Sequence, residues 1–139
     1  MGDTLMAYGT LLTDSVQSST ANTPPQFNDG NGTQIGTLCR AWVNFNGVTT
    51  ATIRASFNVS SVTRNGTGDY TVNFTNALSD TNYTITGVAD AGGSTIAGGV
   101  CLYTSYSPST ISARINSYSI GSSANALMDK SYINVAIFR

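Results

Sequence analysis

The chain has 139 residues, six basic and seven acidic side chains, a formal net charge of −1 and no histidine. That length suits one domain able to bury a core without metals or many disulfides. Near-neutrality excludes an electrostatic footprint for nucleic acid, since Arg40, Arg54, Arg64, Arg114 and Arg139 stand singly, and no apolar run approaches the roughly 20 residues that cross a bilayer, so membrane insertion is not expected.

All the acids are aspartates, and lysine occurs once, at Lys130. Without glutamate and lysine the chain lacks the residues that build exposed helix faces. Thr, Ser, Asn and Gly take their place and favour strands, turns and a neutral hydrogen-bonding exterior. An all-β protein follows, with the weak colloidal repulsion that suits a component of an assembly.

Residues 4–12 are apolar but irregular. No basic segment precedes them, so a secretory signal is not expected and synthesis in a cytoplasm is. Thr13 to Thr37 is loop-like, with Pro24-Pro25 stiffening the path and Asn28-Asp29-Gly30-Asn31-Gly32 turning it. So long a connection is unusual inside a compact domain. Residues 1–37 are therefore expected to form an extended N-terminal arm that packs outside its own subunit, or a flexible extension, with 38–139 as the β domain.

A strand is expected from Leu38 to Asn46, with Cys39, Ala41, Val43 and Phe45 on one face and Trp42 in the core or at a subunit interface. A long strand over 51–62 follows, placing Ile53, Ala55, Phe57 and Val59 on one face. Asn65-Gly66 then offers the positive-φ residues of a tight reversal into a strand carrying Tyr70, Val72 and Phe74. Tyr83 to Ala89 alternates again, Asp90-Ala91-Gly92-Gly93 turns, and Gly98-Gly99 marks a bulge or close backbone approach. Val100, Leu102, Thr104 and Tyr106 share one strand face, and Ile111, Ala113 and Ile115 the next. Ser119 to Met128 is a small-residue loop. Ser131 to Phe138 is apolar on both sides, which suits a central strand or a subunit interface. Strands at roughly ten-residue spacing predict an antiparallel β-sandwich.

Chemistry is sparse. Without histidine the common general base, the Ser-His-Asp and Cys-His arrangements and most zinc sites are excluded. Most aspartates stand in turn contexts that explain them structurally. Cys39 and Cys101 have no CxxC partner and read as buried free thiols rather than a disulfide. No enzyme activity and no cofactor are expected. Binding fits better. Of the seven tyrosines, Tyr103, Tyr106 and Tyr118 lie near the turn Ser105 to Thr110, with Arg114 one strand away. Aromatic rings with polar tips, flanked by Ser, Asn and Gly, make adaptable recognition surfaces. Against that stands their ordinary use as half-buried strand residues.

The segment CRAWVNFNG, then IRASFNVSSVTRNGTGDYTVNFT and ALSDTNY, resembles a domain of bacteriophage tail fibre proteins, those of cyanophages and other marine phages included. With the preceding PPQFNDGNGTQIGTL the likeness covers residues 24–83. RASFNVSSVT before a glycine-containing turn is also loosely similar to H-type lectin domains, although their acidic strand residues are not evident. The tail-fibre resemblance implies a homotrimeric β-sandwich knob in the virion, held to tail or baseplate proteins by residues 1–37 and adhering to a host-surface polysaccharide or lipopolysaccharide. The alternatives are a structural virion component without receptor affinity and a free-standing lectin. Divergence beyond Val88 places recognition around residues 103–128.

Overall fold

Alternation of apolar and polar side chains works as expected in strand β3, Cys39–Asn46, where Ala41, Val43 and Phe45 are buried and Trp42 is on the opposite face. The computed structural model describes residues 13–20, 24–90, 98–103, 107–119 and 126–139, and among them it is all β. Ahead of β3, β1 (Phe27–Asn28) and β2 (Gln34–Gly36) pair as a small hairpin inside the stretch read as loop. Asp29 supports it, its Oδ1 accepting from the amides of Asn31 and Thr33 at 2.9 Å. The remaining strands are β4 (Thr52–Phe57), β5 (Val59–Gly66), β6 (Asp69–Phe74), β7 (Thr84–Asp90), β8 (Gly98–Leu102), β9 (Ser112–Ser119) and β10 (Tyr132–Phe138).

Strands β3 to β10 form one continuous antiparallel sheet in the order β4-β3-β10-β7-β8-β9-β6-β5. The sheet curls towards a barrel. Phe45 on β3 and Tyr70 on β6, far apart in that order, meet edge to face with ring centroids 5.1 Å apart. Inner residues from both halves of the sheet, among them Val43, Val72, Ile115 and Val135, belong to a single apolar core. The two margins, β4 and β5, are successive pieces of one chain run. Strand β10 is central, as its two-sided apolar pattern requires.

The expected strand over 51–62 is broken, for two reasons. Arg54 is an extra residue between the pairs Phe45–Ile53 and Asn44–Ala55. This bulge flips the side chains after it, so Ile53 faces the core while Ala55 and Phe57 lie outside, beside Asn44 and Trp42. Bulged strands bend and re-aim their side chains in this way. Asn58 then takes φ 54°, a left-handed conformation that asparagine tolerates better than most residues. Its Nδ2 donates to the carbonyls of Arg40 and Asn76, both at 3.1 Å, and its Oδ1 accepts the Asn76 amide at 2.8 Å. The corner turns Val59 back to the core.

The β5–β6 reversal also differs from expectation. Positive φ falls on Gly68, at 64°, rather than on Asn65-Gly66. A Cβ on Gly68 would lie 2.5 Å from the Ser117 carbonyl oxygen, so close backbone approach excludes a side chain there. Cys39 and Cys101 are free thiols, but Cys39 is only half-buried and Cys101 is exposed. Residues 4–12, Thr104, Tyr106, the turn residues 91–93 and loop residues 120–125 lie outside the described residues.

Candidate functional site

Because β6 and β9 are adjacent, their outward side chains form one surface with those of β5 and β8. On β9 the inward Ala113, Ile115, Ser117 and Ser119 are buried, which turns Arg114, Asn116 and Tyr118 to the other face, where Asn116 is itself covered and donates to the Gly68 carbonyl at 3.1 Å. Asp69 and Thr71 stand beside Asn116 and Arg114 across the β6–β9 ladder. The resulting wall is almost entirely hydroxyl, amide and paired charge. Asn73 Nδ2 donates to Ser61 Oγ at 2.9 Å and Thr63 Oγ1 at 3.3 Å. Asn65 Nδ2 donates to Thr71 Oγ1 at 2.9 Å and Asp69 Oδ1 at 3.2 Å.

Arg114 is the centre of this wall. Its Nε and Nη2 donate to the two oxygens of Asp69 at 2.9 and 2.6 Å, the two-point geometry that makes such pairs strong. The Arg114 guanidinium, helped by Asn65 and opposed by partial burial, holds the Asp69 carboxyl below the usual carboxylate range. The guanidinium also stacks on Tyr103, 4.1 Å from the ring centroid. That contact covers one face of the Tyr103 ring. The Tyr103 amide is tied to the same place, donating to the Arg114 carbonyl at 3.1 Å.

The structure thus brings Arg114 and Tyr103 together as the sequence suggests. Tyr118 shares their wall but lies four residues further along β9, about 13 Å at the strand rise per residue. Its ring leans over Gly99, directly opposite in the ladder, where any Cβ would collide with it. That is the close approach the Gly98-Gly99 pair implied. Tyr106 lies outside the described residues. Asp69 and Asn65 were missed as site residues because both sit beside a glycine turn, where turn geometry accounts for them.

The opposite wall differs in kind. The outward ladder rows of β4-β3-β10-β7 carry Phe57, Trp42, Ala136 and Thr86, then Ala55, Asn44, Asn134 and Val88. Phe57, Trp42 and Val88 are 55%, 39% and 62% exposed. A shallow depression runs between Trp42 and Val88, its polar side chains being Thr86 and the pair in which Asn44 donates to Asn134. Trp42 is therefore on the surface and not in the core. Arg54 closes the end of this wall, donating to the Ser131 carbonyl at 2.6 Å and lying 4.3 Å over the Tyr132 ring.

Comparison with protein families, curated proteins and solved structures finds no match to this chain.

Proposed function

We propose that the chain is the host-recognition part of a bacteriophage tail fibre: a sandwich-like β knob, acting as a homotrimer in the virion, that adheres to a host-surface polysaccharide or lipopolysaccharide. Residues 1–37 serve in this reading as the arm that joins tail or baseplate proteins. The observation that carries it is the polar wall centred on Arg114, Asp69, Asn65 and Tyr103. Paired charge, side-chain amides and a fixed aromatic ring are the groups that hydrogen-bond and stack on sugars. The resemblance of residues 24–83 to tail fibre domains supports the same reading.

Self-association is supported by the apolar wall. A second copy offers the same largely apolar surface, and exposed apolar area of this kind marks association surfaces. The same wall favours one alternative, a structural connector that docks on another virion protein and has no receptor affinity.

Adsorption of the phage to its host in the presence of excess purified protein separates the two readings. The recognition reading expects competition, and expects Arg114→Ala to weaken it at least tenfold while leaving the folded state intact. Undiminished adsorption at saturating protein would leave the connector standing.

A further inference from the structure

Between the β1–β2 hairpin and the rim of the curled sheet lies a groove made of two adjoining cavities, of about 420 and 270 Å3. Pro24, Pro25, Leu38 and Arg40 line both. Their size is that of a pocket for a small molecule or a sugar unit. No acidic side chain lines either cavity.

Arg40 stands apart from the other arginines. Arg64, Arg114 and Arg139 are ion-paired with Asp129, Asp69 and Asp80, and Arg54 is held by Ser131 and Tyr132. The half-buried Arg40 side chain has no hydrogen bond, ion pair or ring contact among the described residues. It is also the extra residue of a β-bulge, lying between the pairs Ile137–Ala41 and Phe138–Cys39. Bulges are common beside binding sites because they re-aim one side chain out of the ladder. A guanidinium carries a fixed fork of donors, has no acceptor of its own and stays charged. Partly withdrawn from water and unpaired, it is complementary to a planar or tetrahedral oxyanion. Leu38 and Phe57, 40% and 55% exposed, supply apolar surface for the body of such a ligand.

From this we infer that the groove beside Arg40 binds a small acidic ligand, its carboxylate or phosphate on the guanidinium and its ring-sized body against Leu38 and Phe57. The site lies apart from the Arg114 wall, borders the apolar wall at Phe57 and does not depend on the tail-fibre reading.

The test is titration of the uniformly 15N-labelled full chain with glucuronate, glucose 6-phosphate or neutral glucose, followed by backbone amide shifts. At least one acid is expected to shift amides of residues 38–40 and 57–58 saturably at millimolar concentration, while glucose does not. A response to glucuronate alone identifies a carboxylate ligand, and one to glucose 6-phosphate alone a phosphate ligand. Arg40→Gln should weaken binding at least tenfold, and Arg40→Lys less. Because the Arg40 side chain has no polar partner among the described residues, Arg40→Gln should keep the parent spectrum elsewhere. Saturation by neither acid, equal shifts with glucose, or undiminished binding by Arg40→Gln would overturn the proposal.

Discussion

Lys130, the only lysine of the chain, is 1% exposed, and its Nζ has no hydrogen-bond partner among the described residues; the neighbouring Ser131 Oγ is in the same state. Burying an unsatisfied polar group opposes folding by about 1–3 kcal/mol. Lys130→Met puts an unbranched apolar side chain, one heavy atom shorter, in the same place and removes that penalty, so it should raise stability by roughly 1–2 kcal/mol in urea unfolding. Nothing in the sequence marks this lysine for burial, because a lone lysine ahead of a strand has the context of a solvated one. Asp129, next to it, has the opposite balance. Burial works against its charge, but the Arg64 guanidinium, the Gly68 amide and the Tyr70 hydroxyl together hold its carboxyl below the usual range. A depressed carboxylate contributes stability above its unfolded pKa of about 3.9 and loses it as pH falls through the folded value. Asp69 acts in the same direction. The protein should therefore lose stability as pH falls below about 4, and Asp129→Asn should flatten that part of the urea-midpoint profile. Tyr70 adds a limit at the other end. Burial and Asp129 push its hydroxyl upward, so stability is full below the unfolded tyrosine value of about 10 and declines as pH rises beyond it.

Among the elements, those whose own side chains alternate without a break over their central residues were the ones legible in the sequence. β3, β6 and β10 alternate as their side chains predict, and β10 lies where two apolar faces require. The run through β4 and β5 was not legible, because period-two reasoning assumes a constant register. One inserted residue at Arg54 and one left-handed residue at Asn58 each reset it. The corner makes a direct prediction. Asn58→Ala loses three side-chain hydrogen bonds and places an alanine at positive φ, which should lower stability by roughly 2–3 kcal/mol. Asn58→Gly loses the same bonds without the backbone penalty and should cost about 1 kcal/mol less. Equal losses in thermal unfolding would show that the corner is not held in this conformation. Arg114 shows a second limit. Its partner Asp69 is 45 positions away, and only the adjacency of β6 and β9 brings them together.

At the scale of the whole molecule, the division into a polar and an apolar wall follows from strand order. No local pattern encodes it. Cys39 to Tyr83 carries the clearest alternation, yet its strands are distributed to opposite ends of the sheet. Recognition was expected from the second half of the chain alone. In the folded chain Arg114 and Tyr103 adjoin Asp69 and Asn65, which belong to the Cys39–Tyr83 stretch. The apolar wall predicts the oligomer. Light scattering should give three times the 14.5 kDa chain mass, and replacing Trp42 and Val88 together by aspartate should give monomers that keep the same β circular dichroism. A monomer in the parent protein at micromolar concentration would remove the trimer from the proposal.

The run from Thr52 to Gly66 has a bearing on how copies meet. It supplies both margins of the sheet, six residues to one and eight to the other, with the corner between them. Neither margin is a long flat strand of the kind that templates another chain. Backbone-to-backbone growth into fibrils is thereby discouraged. Side-chain walls are left as the means of association, and contact between such walls can close into a small finite ring. For a protein with so few repelling charges, that geometry is a safeguard its composition does not provide.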